Sequence, residues 1–151
     1  MTQIFLGLSL GISPIAAWIA ATGRIEFVVL PIGLGVLFWV AGFDILYSLQ
    51  DADFDKSLGL HSVPVQFGAK RALQISGWSH IATLLFLAAF GFAASLGALY
   101  TAGVVLTAVL LIVEHRLVFD GDLSRLNTAF FTINGWVGIM LLVFTTLDLY
   151  R

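Results

Sequence analysis

The sequence predicts an all-α, polytopic membrane protein with about five transmembrane helices. Three observations predict it. Of the 151 residues, 60% are hydrophobic and 11% are charged, whereas a soluble domain carries about 45–50% apolar and about 25% charged residues. The mean hydropathy is +1.02, so too few polar side chains are present to coat a water-soluble globule. The apolar residues also fall into five runs, each near the roughly 20 residues that a helix needs to cross the hydrocarbon core. These features exclude a cytosolic domain and a disordered tail. A formal charge of −2 offers no basic footprint for nucleic acid. With no cysteine, disulfides, thiolate metal sites and cysteine nucleophiles are excluded. The expectation is one transmembrane domain over 1–151.

The first run, Gln3 to Ala21, is interrupted only by small residues and Pro14, and Thr22-Gly23-Arg24 ends it as a turn signal. No positive segment precedes it, so it does not read as a cleaved signal peptide. The second run, Val28 to Leu49, carries Pro31 near its start, where proline is tolerated. A polar stretch from Gln50 to about Ala72 follows. Leu73 to about Ala94 is the third run and Ala98 to Val118 the fourth, joined by Ser95-Leu96-Gly97. A charged loop from Asp120 to Arg125 precedes the fifth run, Asn127 to Tyr150. Five spans put the termini on opposite sides. Lys56, Lys70, Arg71, Arg116 and Arg125 fall on one side, against Arg24 and Arg151 on the other. That imbalance places the N-terminus and both charged loops in the cytoplasm.

Polar and small residues inside the spans have packing readings. Gly7 and Gly11, with Ser9, Ser13 and Ala17 at four-residue steps, read as a helix–helix contact. Asn127 and Asn134 share a face of the last span and read as interhelical hydrogen-bonding residues, with a substrate contact as the alternative. His80 and Asp148 are expected at span ends, interfacial rather than catalytic.

The segment from Gly42 to Pro64 carries the chemistry. Asp44 lies inside an apolar run, where an ionisable side chain is costly and points to function. At about 100° per residue, Asp51 falls some 20° to one side of Asp44 and Asp55 some 20° to the other. On one continuous helix the three acids form a stripe about 16 Å long, flanked by Tyr47 and Ser48. Asp53 falls about 180° away, a solvated bystander or a partner of Lys56. Close carboxylates repel unless a cation sits between them. An all-oxygen set, with Asp51 and Asp55 four residues apart, points to Mg²⁺, which is held by one or two carboxylates plus substrate phosphates. A charged helix end that stops at the interface is the alternative, and Asp44 favours the site. His61, Lys70 and Arg71 are placed to approach phosphate oxygens, although Lys70 and Arg71 also suit ordinary cytoplasmic anchors.

Asp44-x-x-Tyr47-x-x-x-Asp51-x-x-x-Asp55, followed by Gly59-x-His61-Ser62-x-Pro64 and Phe67-Gly68, resembles the second aspartate-rich motif of the UbiA superfamily of intramembrane aromatic prenyltransferases. The likeness is strongest to the bacterial 4-hydroxybenzoate and menaquinone-pathway branches. Gly7 to Gly11 with Pro14-x-Ala16-Ala17-Trp18, and Trp39-x-Ala41-Gly42-Phe43-Asp44, support it. So do Glu114 to Val118, Leu123 to Asn127, Ala129-Phe130-Phe131 and Asn134-Gly135. The resemblance covers essentially the whole chain. It implies a ring of nine transmembrane helices around a central cavity, of which this chain matches the last five. The family's other aspartate motif, of the form N-D-x-x-D-x-x-x-D, does not occur here, nor does the tyrosine–lysine segment that normally precedes the region of Gln3. The chain therefore reads as a C-terminal half: a truncated frame, a split gene or a partial protein. Relatives often place a lysine or arginine where His61 stands, and a neutral imidazole would hold diphosphate less strongly.

The resemblance also implies a mechanism. A polyprenyl diphosphate and an aromatic acid such as 4-hydroxybenzoate would be the substrates, with Mg²⁺ bridging the diphosphate to the aspartates. Asp51 and Asp55 would hold a magnesium ion. Asp44 would stand nearer the acceptor, ligating through water or taking a proton, and Tyr47 would line the cavity. Lys70 or Arg71 would bind phosphate or the acceptor's carboxylate. The site would face the cytoplasm across the inner (plasma) membrane, and the chain alone would be inactive without a partner half. Two rivals are a CDP-alcohol phosphotransferase, whose D-G-x-x-A-R pattern is missing, and a non-catalytic membrane subunit that binds isoprenoids or quinones.

Overall fold

The computed structural model describes residues 2–119 and 128–151, with side chains described for 3–118 and 131–151. The charged loop Asp120 to Arg125, the stretch Leu123 to Asn127 and the side chains of Ala129 and Phe130 lie outside the described residues, as does the predicted pairing of Asn127 with Asn134 on one face.

Every described element is helical. The order is α1 (Thr2–Thr22), a 3₁₀ turn (Phe27–Val29), α2 (Leu30–Tyr47), α3 (Ala52–Ser57), α4 (Val63–Phe67), α5 (Ala69–Ala93), α6 (Ala98–Phe119), a π-helical turn (Thr128–Ile133) and α7 (Asn134–Leu149). Five helices are long and apolar enough to cross a membrane, as the five runs predict. The boundaries differ in instructive places. Pro31 sits in the first turn of α2, where its missing N–H has no partner to lose. The third span begins at Ala69 rather than Leu73, so Lys70 and Arg71 occupy its first turn. Gly68 sets that start. Its φ of 78° and ψ of 160° lie in a region essentially reserved for glycine, and they separate α4 from α5.

Consecutive spans pack in chain order: α1 on α2, α2 on α5, α5 on α6 and α6 on α7. Lipid gives apolar side chains no reason to leave it, so close backbone approach must hold such helices together. Gly7 and Gly11 supply it between α1 and α2. A Cβ on Gly11 would lie 2.7 Å from the Gly33 carbonyl oxygen, and one on Gly33 would lie 2.8 Å from that of Gly11. Ser9 and Ser13 do not share this contact. They are exposed with Ala17 on the other side of α1, because residues two positions off the glycine row point about 200° away. Ser9 instead bonds its own helix at Phe5.

Between α2 and α5, Gly42 lets the His80 ring approach, with His80 Nε2 2.5 Å from where a Cβ would stand. Ser76 Oγ donates to the Gly42 carbonyl at 2.7 Å, and Phe38 stacks on Phe86 with ring centroids 5.6 Å apart. At one end of the bundle Ile45, Leu46, Leu49, Ala72 and Val118 form a buried cluster joined by Val63 and Leu73. It ties the end of α2 to α4, the start of α5 and the end of α6. At the opposite end Asp148 caps α6. Its carboxylate accepts from the backbone N–H groups of Gly97, Leu99 and Tyr100, orphan donors at a helix start where negative charge is favoured. Asp148 is thus at a span end, as predicted. His80 is not: it is 4% exposed and stands about 16 Å along α5 from Ala69, at 1.5 Å per residue. The later start assigned to this span placed it too near the end.

Two outcomes follow. Gly11→Val should weaken the bundle by roughly 1–3 kcal/mol through overpacking against Gly33, while Ser9→Val should be near neutral; thermal unfolding in detergent distinguishes them. Asp148→Ala should lower the melting temperature through the lost cap, read by the same melts.

Candidate functional site: a carboxylate hollow and a buried polar network

The acidic segment does not form one continuous helix. α2 ends at Tyr47, Ser48 to Asp51 form turns, and α3 resumes at Ala52. Successive three-residue bonds, Leu49 N–H to the Leu46 carbonyl and Gln50 N–H to the Tyr47 carbonyl, tighten the chain there. The single stripe predicted from ideal helix geometry is therefore corrected to two helical pieces joined by a tight turn. The Asp55 N–H bonds the Asp51 carbonyl at 2.7 Å, which starts α3 on Asp51 and keeps the two acids one turn apart.

Despite the break, Asp44, Tyr47, Ser48, Asp51 and Asp55 line one hollow of about 250 Å³, closed from other elements by Gln3, Leu60, His61 and Ser62. Asp44 is half-buried, and Asp51 and His61 are exposed at the rim. Asp53 is exposed and stands outside the lining. Lys70 and Arg71 are exposed on the first turn of α5 and are likewise outside the lining. Sequence reasoning passed over two contributors. Gln3 is 3% exposed and Ser62 7%, and among the described residues neither Gln3 Oε1 nor Ser62 Oγ has a hydrogen-bond partner. Ser62 occupies the N-cap position of α4 without making the capping bond, which leaves its hydroxyl for the hollow. A glutamine opening an otherwise apolar span was the readable signal for Gln3.

The donor set suits a hard cation. Three carboxylates and two orphaned neutral oxygen groups face one small volume, without a lysine or arginine in the lining among the described residues. Mg²⁺ takes oxygen ligands and keeps room for waters and substrate phosphates, so these residues fit it.

A second polar group lies deeper. Trp39 Nε1 on α2 donates to Asn134 Oδ1 on α7 at 2.8 Å, and Asn134 Nδ2 donates to Glu114 Oε1 on α6 at 2.8 Å. Asn134 is thus an interhelical hydrogen-bonding residue, the first of its two sequence readings. Glu114 is 1% exposed, and its other oxygen lies 3.8 Å from His80 Nδ1. The His80 and His115 rings meet edge to face with centroids 5.0 Å apart. Glu114 was legible as an ionisable residue inside a span, but its partners on α5 and α7 were not.

The fold and the hollow define an integral membrane protein of antiparallel helices with an acidic site at one membrane face. Residues 1–136 match the UbiA prenyltransferase family, and the chain belongs to that family. It is 31% identical over 143 residues to a 4-hydroxybenzoate octaprenyltransferase of Shewanella sp. (strain ANA-3), covering 95% of this chain and 49% of the relative. The enzyme of the same name from Nitrosospira multiformis is 28% identical over 98% of this chain and 50% of its own length. Among solved structures, the apo structure of a UbiA homolog from Aeropyrum pernix K1 superposes with a TM-score of 0.80 at 32% identity, covering 97% of this chain and 55% of that one. The chain spans about half the length of the curated relatives it matches.

Asn134→Leu should remove the shared partner of Trp39 and Glu114 and destabilise the bundle by about 1–2 kcal/mol, as interhelical hydrogen bonds in lipid do. Thermal unfolding in detergent, compared with Asn134→Gln, checks it.

Proposed function

We propose that this chain, as one transmembrane domain over 1–151, supplies the C-terminal half of an Mg²⁺-dependent aromatic prenyltransferase. The transfer moves a polyprenyl group from its diphosphate to a ring carbon of an aromatic acid such as 4-hydroxybenzoate, in ubiquinone or menaquinone biosynthesis. The observation that carries the reading is the shared hollow of Asp44, Asp51 and Asp55 at the membrane face, in a chain of this family.

Asp51 and Asp55 would hold the metal. Bound Mg²⁺ offsets the diphosphate's charge and makes it a better leaving group. His61 at the rim, with the orphaned Ser62 hydroxyl and Gln3 amide inside the hollow, would contact phosphate oxygens. Lys70 and Arg71 add positive charge just outside the hollow, where they would meet an anion on approach. As the allylic C–O bond breaks, its electron pair leaves with the diphosphate. The aromatic ring carbon would then bond the allylic carbon and lose its proton, which Asp44 would accept. Tyr47 would shape the wall beside it, and apolar surroundings would exclude the water that otherwise quenches the cation. The lysine and arginine bias supports a cytoplasmic placement of this face, and the membrane would be the inner (plasma) membrane.

One aspartate-rich motif of the family pattern stands in this chain, and the spans at its two ends are the least covered: 11% of the first and 17% of the last are buried, against 39% of the second. Both facts support a second half that completes the cavity. The purified chain should therefore show no transfer of a labelled prenyl group, and co-purification with a segment carrying the first aspartate motif should restore it. Turnover by the chain alone would refute the half-site reading, and continued silence in the complemented form would favour a non-catalytic isoprenoid- or quinone-binding subunit.

In the complemented form, Asp51→Ala should reduce Mg²⁺-dependent transfer by more than the roughly 10–100-fold that loss of an outer-shell partner costs at a metal site. Asp53→Ala should leave it nearly unchanged. Equal losses in a radiolabelled transfer assay would contradict the geometry.

A further inference from the structure

We propose that His80, Glu114 and His115 form a three-ligand site for a borderline first-row dication, Zn²⁺ foremost, inside the bundle and separate from the carboxylate hollow. Each side chain offers one ligand atom, and the three atoms lie within 4.8 Å of one another. His80 and Glu114 are almost fully buried. Among the described residues, both nitrogens of His80, Glu114 Oε2 and His115 Nε2 have no hydrogen-bond partner. The 3.8 Å between His80 Nδ1 and Glu114 Oε2 is too long for a hydrogen bond. The backbone carbonyls of Trp39 and Leu73 also face the two rings, yet neither meets a ring nitrogen in bonding geometry.

The supporting contacts are those of a metal site. His115 Nδ1 lies 3.2 Å from the Leu111 carbonyl oxygen. A carbonyl only accepts, so Nδ1 carries the proton and Nε2 presents a free lone pair to the cluster. Metal-binding histidines characteristically anchor their second nitrogen in this way. Glu114 is oriented likewise: Oε1 is held by Asn134, itself held by Trp39, which leaves Oε2 for the cluster.

Donor chemistry selects the ion. Two imidazoles and a carboxylate suit zinc and its first-row neighbours, whereas Mg²⁺ prefers oxygen alone. Zinc bonds of about 2.0–2.2 Å set ligand atoms roughly 3.3–3.5 Å apart, so the present cluster needs to close by about an ångström. A groove of about 270 Å³ between α5 and α6, lined by Gly77, Ile81, Leu111 and Arg116 with both histidines, leaves room for a fourth, non-protein ligand.

The test is binding, and its outcome is independent of prenyl transfer. Metal-free full-length chain in detergent is titrated with Co²⁺ in excess Mg²⁺, following visible ligand-field absorption. About one cobalt per chain is expected, displaced by Zn²⁺. Glu114→Gln, which preserves the bond to Asn134, and His115→Gln should each weaken binding at least about 10-fold, whereas Asp51→Asn with Asp55→Asn should leave it unchanged. An absent band in folded protein would show that water or the backbone carbonyls satisfy these groups, and would overturn the proposal. A band lost with Asp51 and Asp55 but kept in Glu114→Gln would overturn it too. Zinc-edge X-ray absorption of the unmodified chain needs no variant: imidazole scattering is expected, and an all-oxygen shell would refute the site.

Discussion

A helix in lipid gains little by burying leucine against leucine, so the position of α2 rests on how closely its backbone can approach α1 and α5. Glycine decides that distance. Gly33 meets Gly11 of α1 with no room for a Cβ on either, and Gly42 gives its volume to the His80 ring of α5. Asp44 stands two residues beyond Gly42. The contact that seats α2 against α5 therefore also sets the depth of the first acid of the hollow. The buried cluster of Ile45, Leu46, Leu49, Ala72 and Val118 lies beside the same acids, so packing and site share one end of one helix.

Polar groups within the spans follow the opposite logic. Each must find a partner, because hydrocarbon offers none. Trp39, Asn134 and Glu114 form a chain across α2, α7 and α6, which holds the last span to the second although they are far apart in sequence. Asp148 spends its carboxylate on the free N–H groups of α6. Pairing is incomplete among the described residues at Gln3 and Ser62 in the hollow and at His80, Glu114 and His115 in the interior. The two sets differ in kind: oxygen donors at the membrane face, nitrogen with oxygen inside the bundle. By donor chemistry the first set suits a hard cation and the second a softer one.

The five spans were legible because length and hydropathy are local properties, and the structure reproduces them with shifts of a few residues. The shifts have causes. Gly68 starts α5 ahead of Leu73 by adopting a backbone conformation that other residues avoid, which moved Lys70 and Arg71 onto a helix and His80 to mid-span. The turn at Ser48 to Asp51 was invisible to a periodicity argument, which assumes an unbroken helix. The acids nevertheless line one hollow because the turn reorients α3 while Asp51 still begins it. The small residues of α1 show the same limit: spacing by four relates Gly7 to Gly11 and, separately, Ser9 to Ser13, but spacing alone cannot say which row meets α2.

By itself the sequence determined the membrane class, the number and approximate extent of the spans, and the family, since composition, run length and the aspartate spacing are written along the chain. Only the tertiary structure decided which side chains share a volume. It brought Gln3 and Ser62 to the aspartates, left Lys70 and Arg71 outside the lining, and joined His80 to Glu114 and His115. The physical reason is that convergence depends on the distances and rotations between helices. Those are set by glycine contacts and buried hydrogen bonds between residues as distant as Trp39 and Asn134, and no local pattern encodes them.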